Sequence, residues 1–209
     1  MRMRMGEDGE MTENRMEVLC PGMIRREGQI IFEARSSATL VSRGERHLLV
    51  DTSGPQNRAL LLQALEERGL TPENIEVVVM THLHNDHEGN LDLFPRARRY
   101  AHRLEAPKPP YQIVDEGFEI WEGVRLLHTP GHTQGSLSVL VDAGETYALA
   151  GDAIPMEDNV RRWVPPGIHY DRELALASMS RLLHLADIVV PGHGPPFRTA
   201  KYRKDGEKR

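Results

Sequence analysis

One short stretch of the chain carries most of the chemical information: Thr81-His82-Leu83-His84-Asn85-Asp86-His87. It holds three imidazoles and one carboxylate, and it directly follows the run 75–80, whose β-branched residues are typical of a buried strand. Because His82 and His84 are two residues apart, an extended backbone directs both side chains to the same side. A following helical turn would aim Asp86 and His87 at a neighbouring point. The spacing therefore predicts that one segment contributes ligands to two metal ions.

Three more residues of ligand type each follow an apolar run and a glycine. His132 follows the run 126–127, Asp152 follows the run 147–150, and His193 follows the run 188–190. Active sites of α/β proteins lie at the carboxyl ends of strands, so we expect four strand ends to meet at one edge of the fold. The glycine before each ligand lets the backbone turn sharply there.

These residues predict a dinuclear metal centre. The ligands assigned to the first metal are His82, His84 and His132, those assigned to the second are Asp86, His87 and His193, and Asp152 is expected to bridge the two. Asp86 and Asp152 are the carboxylates that we expect to take part in catalysis. Zinc is the favoured divalent ion, with iron or manganese as alternatives. A closed structural zinc site is disfavoured because such sites are rich in cysteine, and the chain has a single one, Cys20.

The predicted secondary structure is that of an α/β layered domain. Strands are predicted at 29–34, 38–41, 48–50, 75–80, 124–127, 137–141, 147–150 and 188–190. A helix is predicted from Pro55 to Gly69, and helical spacing of apolar residues predicts another across 176–186. Residues 1–15 are predicted to be a disordered leader, residues 16–200 the folded domain, and residues 201–209 a charged tail.

Four motifs resemble those of the metallo-β-lactamase fold superfamily, in particular its glyoxalase II-like branch. They are H-x-H-x-D-H at 82–87, G-H-T-x-G-S at 131–136, G-D at 151–152 and P-G-H-G at 191–194. The resemblance implies an αββα sandwich with a dinuclear site at the strand edge, and it implies hydrolysis. Ribonuclease activity on messenger-RNA precursors is among the functions that the resemblance implies, because it is associated with an animal relative.

Some features of that superfamily are not matched. We find no counterpart of the C-terminal helical region with which glyoxalase II holds glutathione, or of the added domains of the RNA-processing branches. True β-lactamases of the commonest class have Cys where Asp152 stands. We therefore expect neither a glutathione thioester nor an antibiotic as the native substrate.

Composition indicates which partners to expect. The chain has 26 basic and 31 acidic side chains, so nothing demands a nucleic acid or a membrane. No apolar run approaches the roughly 18 residues of a membrane span, and the single cysteine fits a reducing compartment. We therefore expect a cytoplasmic protein, with a homodimer as the common assembly for such chains.

Other residues are candidates for supporting roles. Asp51, Thr81 and Thr133 are predicted to orient ligands through hydrogen bonds, although simple turn roles explain them equally well. Residues 153–171 follow Asp152 and contain Arg161, His169 and Tyr170, which are candidates for contacting the substrate. A plain surface connection is the alternative for this segment.

Three functions remain open from the sequence. The first is hydrolysis of a small ester, thioester or lactone, in which a metal-bridging hydroxide attacks the carbonyl. The second is a phosphodiesterase or ribonuclease acting on RNA, favoured by the basic residues Arg96, Arg98, Arg99 and Arg103. The third is a non-catalytic metal-binding sensor, which an intact set of seven ligands argues against.

Overall fold

The computed structural model describes residues 13–28 and 30–202. The first half contributes the strands β1 (Arg15–Cys20), β2 (Met23–Glu27), β3 (Ile30–Arg35), β4 (Ala38–Arg43), β5 (Arg46–Val50), β6 (Val77–Val79), β7 (Arg98–His102) and β8 (Tyr111–Val114). The second half contributes β9 (Glu119–Trp121), β10 (Val124–His128), β11 (Leu137–Asp142), β12 (Thr146–Gly151), β13 (Ile188–Pro191) and β14 (Phe197–Arg198). The α-helices are α1 (Arg58–Glu66), α2 (Asn85–Glu88), α3 (Glu157–Arg162) and α4 (Arg172–Leu185).

The strands form two six-stranded sheets and one hairpin. The first sheet has the order β1-β4-β5-β6-β7-β8 and the second has the order β14-β13-β12-β11-β10-β9, while β2 and β3 pair with each other. Strands β5 to β8 are parallel, and so are β12 and β13. Strands β10 and β12 both run antiparallel to β11. The carboxyl ends of β10, β12 and β13 therefore lie at one edge of the second sheet.

Alternation of side chains along the strands explains why both faces of the first sheet are buried. Leu48 and Val50 belong to the core between the two sheets, whereas Leu49 packs in the core that contains α1. Val77 and Val79 likewise face the second sheet, and Val78 faces α1. A strand buried on both faces reads as a continuous apolar run, which is the pattern of β6.

Helices cover the outer face of each sheet. Leu61 and Leu65 of α1 pack with residues of the first sheet, and Met179 and Leu182 of α4 pack with residues of β12 and β13. The architecture is the predicted αββα sandwich, which confirms that expectation. Among the residues that the structure describes, no helix has the length and apolar character needed to cross a bilayer.

The elements agree with the sequence predictions where a strand is apolar. The predicted strands 38–41, 48–50, 124–127, 137–141, 147–150 and 188–190 each lie within an observed strand, and the strand predicted at 75–80 is the shorter β6. The strand predicted at 29–34 is β3, and Gln29 lies outside the described residues. The strands that were not predicted are β1, β2, β7, β8, β9 and β14. In β1 and β7, for example, charged residues interrupt the apolar pattern of the sequences RMEVLC and RRYAH.

The two predicted terminal segments fall mainly outside the structure. Residues 1–12 of the predicted leader are not among the described residues, whereas Arg15 is the first residue of β1. Residues 203–209 of the predicted tail are also outside the described range. Lys201 and Tyr202 are described, and both contact Glu157 of α3, at 2.6 Å and 2.8 Å respectively.

Candidate metal centre

Ligand-type side chains from both sheets meet at the edge where the strands end. The segment after β6 supplies four of them, and the segments after β10, β12 and β13 supply one each. They are His82, His84, Asp86, His87, His132, Asp152 and His193. The structure thus brings together all seven residues that the sequence predicts as ligands, and their role as ligands remains a prediction.

Three imidazoles form the group that we name the first triad: His82, His84 and His132. Nε2 of His82 lies 3.0 Å from Nδ1 of His84, and Nε2 of His132 lies 3.2 Å and 3.1 Å from these two atoms. Zinc–nitrogen bonds of roughly 2.0–2.1 Å in a tetrahedral site place ligand nitrogens about 3.3–3.4 Å apart. A metal ion would therefore fit within the triad if the three nitrogens moved slightly further apart.

A second triad consists of Asp86, His87 and His193, and Asp152 stands between the two. Nε2 of His193 lies 3.5 Å from Oδ2 of Asp86. Oδ1 of Asp152 lies 3.1 Å from Nε2 of His193 and 3.5 Å from Nε2 of His87, whereas Oδ2 lies 3.5 Å from Nε2 of His132. One carboxylate thus presents one oxygen to each triad.

Two buried polar atoms at this point form no hydrogen bond within the described part of the chain. They are Nε2 of His87 and Oδ1 of Asp152. A buried polar group without a partner costs free energy, and both atoms are of the type that binds divalent metals. The donor set therefore fits a metal site, because a bound cation would satisfy both atoms.

The nitrogens that face away from the centre are held by hydrogen bonds. Nδ1 of His87 donates to Oδ2 of Asp51 at 2.8 Å. His132 donates from Nδ1 to the carbonyl oxygen of Ile168 at 2.7 Å, and His193 donates from Nδ1 to that of Arg35 at 3.0 Å. Such bonds fix the ring orientation and the tautomer of a metal-binding histidine.

Asp51 and Thr81 form one network behind the centre. Oδ1 and Oδ2 of Asp51 accept from the backbone N–H and the hydroxyl of Thr81, each at 2.8 Å. The Thr81 hydroxyl also lies 3.2 Å from Nδ1 of His82. These two residues therefore connect a ligand of each triad. Gly151, with φ +48°, packs closely against Thr81. A larger residue would not fit at position 151, because its Cβ would lie 2.5 Å from the Thr81 hydroxyl oxygen.

Burial and charge act together on the titrating groups. Burial, with His87 and His132 nearby, holds the pKa of His82 well below its usual value. Burial also opposes charge on His87, but the Asp51 and Asp152 carboxylates outweigh it and raise that pKa to about 10. Burial would raise the pKa of Asp152, yet His193 and His87 hold it well below its usual value. Asp152 is therefore an anion, the form that binds a metal.

The remaining predicted residues lie at various places around the centre. Thr133 donates to Oε1 of Glu105 at 2.6 Å rather than to a ligand histidine. Arg161 is an exposed residue of α3 that pairs with Asp158. His169 and Tyr170 are exposed next to Ile168, and the backbone N–H of Tyr170 donates to the carbonyl of Gly131 at 2.7 Å. Of the substrate-side candidates, His169 and Tyr170 thus adjoin the first triad through the segment that holds His132.

Sequence reasoning missed three groups that support the ligands. Two are backbone carbonyls, of Arg35 and Ile168, for which the sequence carries no signal. The third is the side chain of Glu105, which contacts the segments before and after it in the site. Its only signal is an acidic residue shortly after a strand end, which is too common to be informative.

Comparison with known proteins places this geometry in a family. The family model described as Metallo-beta-lactamase superfamily matches residues 32–115 and 105–193. The Metallo-beta-lactamase domain-containing protein 1 of Xenopus laevis is 36% identical over 201 residues, which cover 90% of this chain and 82% of that protein. An N-acyl homoserine lactonase from a Bacillus species is 31% identical over 154 residues, covering 64% of this chain and 61% of the lactonase.

Solved structures show the same fold. A Staphylococcus aureus protein described as a probable metal-dependent hydrolase superimposes with a TM-score of 0.76 at 16% identity, covering 94% of this chain and 95% of that one. The matched residues include all seven ligand-type side chains. The chain belongs to the metallo-beta-lactamase superfamily and is a metal-dependent hydrolase of that family.

Proposed function

We propose that the protein binds two divalent metal ions, zinc by preference, and hydrolyses a small ester, thioester or lactone. The observation that carries this proposal is the position of Asp152, whose two carboxylate oxygens face different triads at distances of 3.1–3.5 Å. A single carboxylate between two groups of three ligands is the arrangement expected where two ions share a bridge.

Each group of side chains has a defined task in this proposal. The first triad would hold one ion, the second triad the other, and Asp152 would contact both. When bound, such ions polarise the oxygen of the substrate and lower the pKa of a water molecule to near neutrality. The hydrogen bonds that the imidazoles donate to Asp51 and to the carbonyls of Ile168 and Arg35 keep the rings in the orientation that this chemistry requires. The chain therefore supplies a preorganised site.

A small carbonyl substrate is favoured over RNA by the surface charge. The net charge is −5, which opposes binding of a polyanion. Within the arginine cluster, Arg99 donates to the carbonyls of Leu91 and Phe94 at 3.3 Å, and Arg103 pairs with Asp115. Two of the four arginines thus have partners within the chain. The lactonase among the relatives is consistent with a carbonyl substrate.

The segment that carries His169 and Tyr170 is the proposed substrate side of the centre. Both residues are exposed and directly follow Ile168, whose carbonyl accepts from His132. A substrate bound at the first triad would therefore meet this segment. Arg161 pairs with Asp158 on an exposed face of α3, so we assign it no contact with the substrate.

The test is a turnover comparison of zinc-loaded protein on lactones, thioesters and simple esters beside single-stranded RNA. The matched variants are Asp152→Ala and Asp142→Ala, the latter at an exposed position at the end of β11. We expect carbonyl hydrolysis that is lost in Asp152→Ala and kept in Asp142→Ala. RNA cleavage with the same dependence would show that the substrate class is wrong. Two bound metals without turnover on any substrate would favour the sensor function.

A further inference from the structure

We propose that Glu105 is a positioning residue that joins the two chain segments of the first triad. The inference rests on the proposed metal site, since it concerns how that triad is held. Glu105 ends a short 3-10 turn, Arg103–Glu105, that follows β7. Glu105 belongs to neither triad, and it is not adjacent in sequence to a member of either.

The Glu105 carboxylate bridges two loops that are far apart in the sequence. Its Oε2 accepts from the backbone N–H of Leu83 at 3.2 Å, and Leu83 lies between the ligands His82 and His84. Its Oε1 accepts from the hydroxyl of Thr133 at 2.6 Å and from the backbone N–H of Gly135 at 3.0 Å. One carboxylate therefore contacts both segments that supply the first triad.

The packing around Gly135 shows that this contact is close. A Cβ at position 135 would lie 2.6 Å from the backbone nitrogen of Glu105 and 2.8 Å from its Oε1. Real Cβ atoms do not approach other atoms so closely. The glycine in the motif at 131–136 is therefore explained by the position of Glu105, which gives independent evidence that the two segments fit together here.

The turn that presents Glu105 is itself anchored to both sheets. Nδ1 of His102 accepts from the backbone N–H of Leu104 at 3.3 Å, which caps the start of the turn. The His102 ring stacks on that of His128, with centroids 4.1 Å apart and planes inclined by 10°. Since His102 ends β7 and His128 ends β10, the carboxylate is held by two strands that belong to different sheets.

The second triad has separate support. Asp51 holds His87, and the Arg35 carbonyl holds His193. The bonds of Glu105 to Leu83, Thr133 and Gly135 instead end beside ligands of the first triad. Loss of the Glu105 bridge should therefore affect one metal and spare the other. Outer hydrogen-bond partners of ligands typically contribute about 10–100-fold to metal affinity.

The first variant is Glu105→Gln, which keeps the size and shape of the side chain. Its amide has one acceptor oxygen, so its NH2 group must face either Leu83 N–H or the donors of Thr133 and Gly135. The probe is cobalt(II), added to apoprotein in competition with a chelator and followed by visible absorbance, which separates the two binding steps. We expect one step to weaken about 10–100-fold and the other to remain unchanged.

A pair of milder variants tests the same bridge without disturbing the carboxylate. Thr133→Val removes the hydroxyl donor and should weaken the same cobalt step by a smaller factor, whereas Thr133→Ser keeps the donor and should restore it. The control is Glu145→Gln, because Glu145 pairs with Arg198 before β12, at the opposite end of that strand from Asp152. It should leave both cobalt steps unchanged.

The outcomes separate this inference from the proposed function. Unchanged cobalt binding in Glu105→Gln and Thr133→Val, or equal weakening of both steps, would overturn the positioning role while leaving the proposed function standing. Wild-type protein that binds fewer than two ions would contradict the proposed function and this inference together. If Glu105→Gln fails to fold, the Thr133→Val and Thr133→Ser pair decides.

Discussion

His87 and Asp51 form a buried pair, with Nδ1 of the imidazole 2.8 Å from Oδ2 of the carboxylate. The other oxygen of Asp51 accepts from the backbone N–H of Thr81 at the start of the ligand segment. Asp51 and Thr81 lie behind the proposed metal centre, near the carboxyl ends of the parallel strands β5 and β6. The pair therefore links the orientation of a ligand ring to the end of the neighbouring strand.

Asp51→Asn is expected to weaken binding of the metal at the second triad by about 10–100-fold. Asparagine has a single acceptor oxygen, so one of the donors from Thr81 or His87 would face its NH2 group. Asp51 has φ +55°, a conformation that asparagine adopts at a lower cost than alanine, so the variant tests the hydrogen bond rather than the backbone. Metal content after dialysis against a graded chelator series measures the effect.

The matched control for that experiment is Asp92→Asn. Asp92 is an exposed residue that pairs with Arg58 at 2.8 Å and makes no hydrogen bond or ion pair with a ligand-type side chain among the described residues. It should bind metal as the wild type does. Equal metal content in Asp51→Asn and the wild type across the whole chelator series would contradict the role that we assign to Asp51.

Two neighbouring leucines of α1 test the packing of the outer layer. Leu61 is fully buried, whereas Leu62 is 36% exposed. Leu61→Ala should lower the free energy of unfolding by about 2–5 kcal/mol, because it leaves a cavity between α1 and the first sheet. Leu62→Ala should cost less than about 1 kcal/mol. Urea unfolding of the metal-free proteins measures the loss of unfolding free energy in each variant. Similar losses in the two variants would mean that α1 does not pack on the first sheet through the face that carries Leu61.

Cys20 predicts a pH dependence of stability. Burial raises the pKa of its thiol from 9.0 to about 11, against an opposing effect of Arg35. Because the folded pKa lies above the unfolded one, the neutral thiol contributes stability below pH 9, and this contribution is lost as the pH rises towards 11. Across that window the loss should reach roughly 2–3 kcal/mol.

The measurement is the urea midpoint of wild type and Cys20→Ala between pH 8 and 11. The wild type should lose stability more steeply than the alanine variant, which lacks the titrating group and serves as the control for all other groups. In addition, Cys20 should resist alkylation at pH 8 in the folded protein. Parallel stability curves, or rapid alkylation, would show that the thiol is not protected as described.

The meeting of the seven ligand-type side chains at one edge was predictable, because three separate segments repeat the same pattern in the sequence. Each of His132, Asp152 and His193 follows an apolar strand and a glycine, and parallel strand ends share an edge. The same reasoning predicted the strands that are apolar throughout. It failed for strands such as β1 and β7, whose charged residues hide the strand pattern, because the sheet buries only part of each strand.

The partners of the ligands were less predictable, because they depend on distant segments. Asp51 was expected to act on a histidine, but the identity of that histidine required the structure. Glu105 lies 22 residues from Leu83 and 28 from Thr133. Its two-loop contact arises from the packing of one sheet on the other, and no local pattern of residues reports that packing.

The two carbonyls that hold His132 and His193 have a consequence for how this protein can change over time. A hydrogen bond to the backbone of Ile168 or Arg35 persists whatever side chain stands at that position. The Ile168 side chain is 63% exposed beside the centre. Evolution, or a library built at position 168, can therefore alter the surface that an incoming molecule meets while leaving the orientation of the imidazole intact.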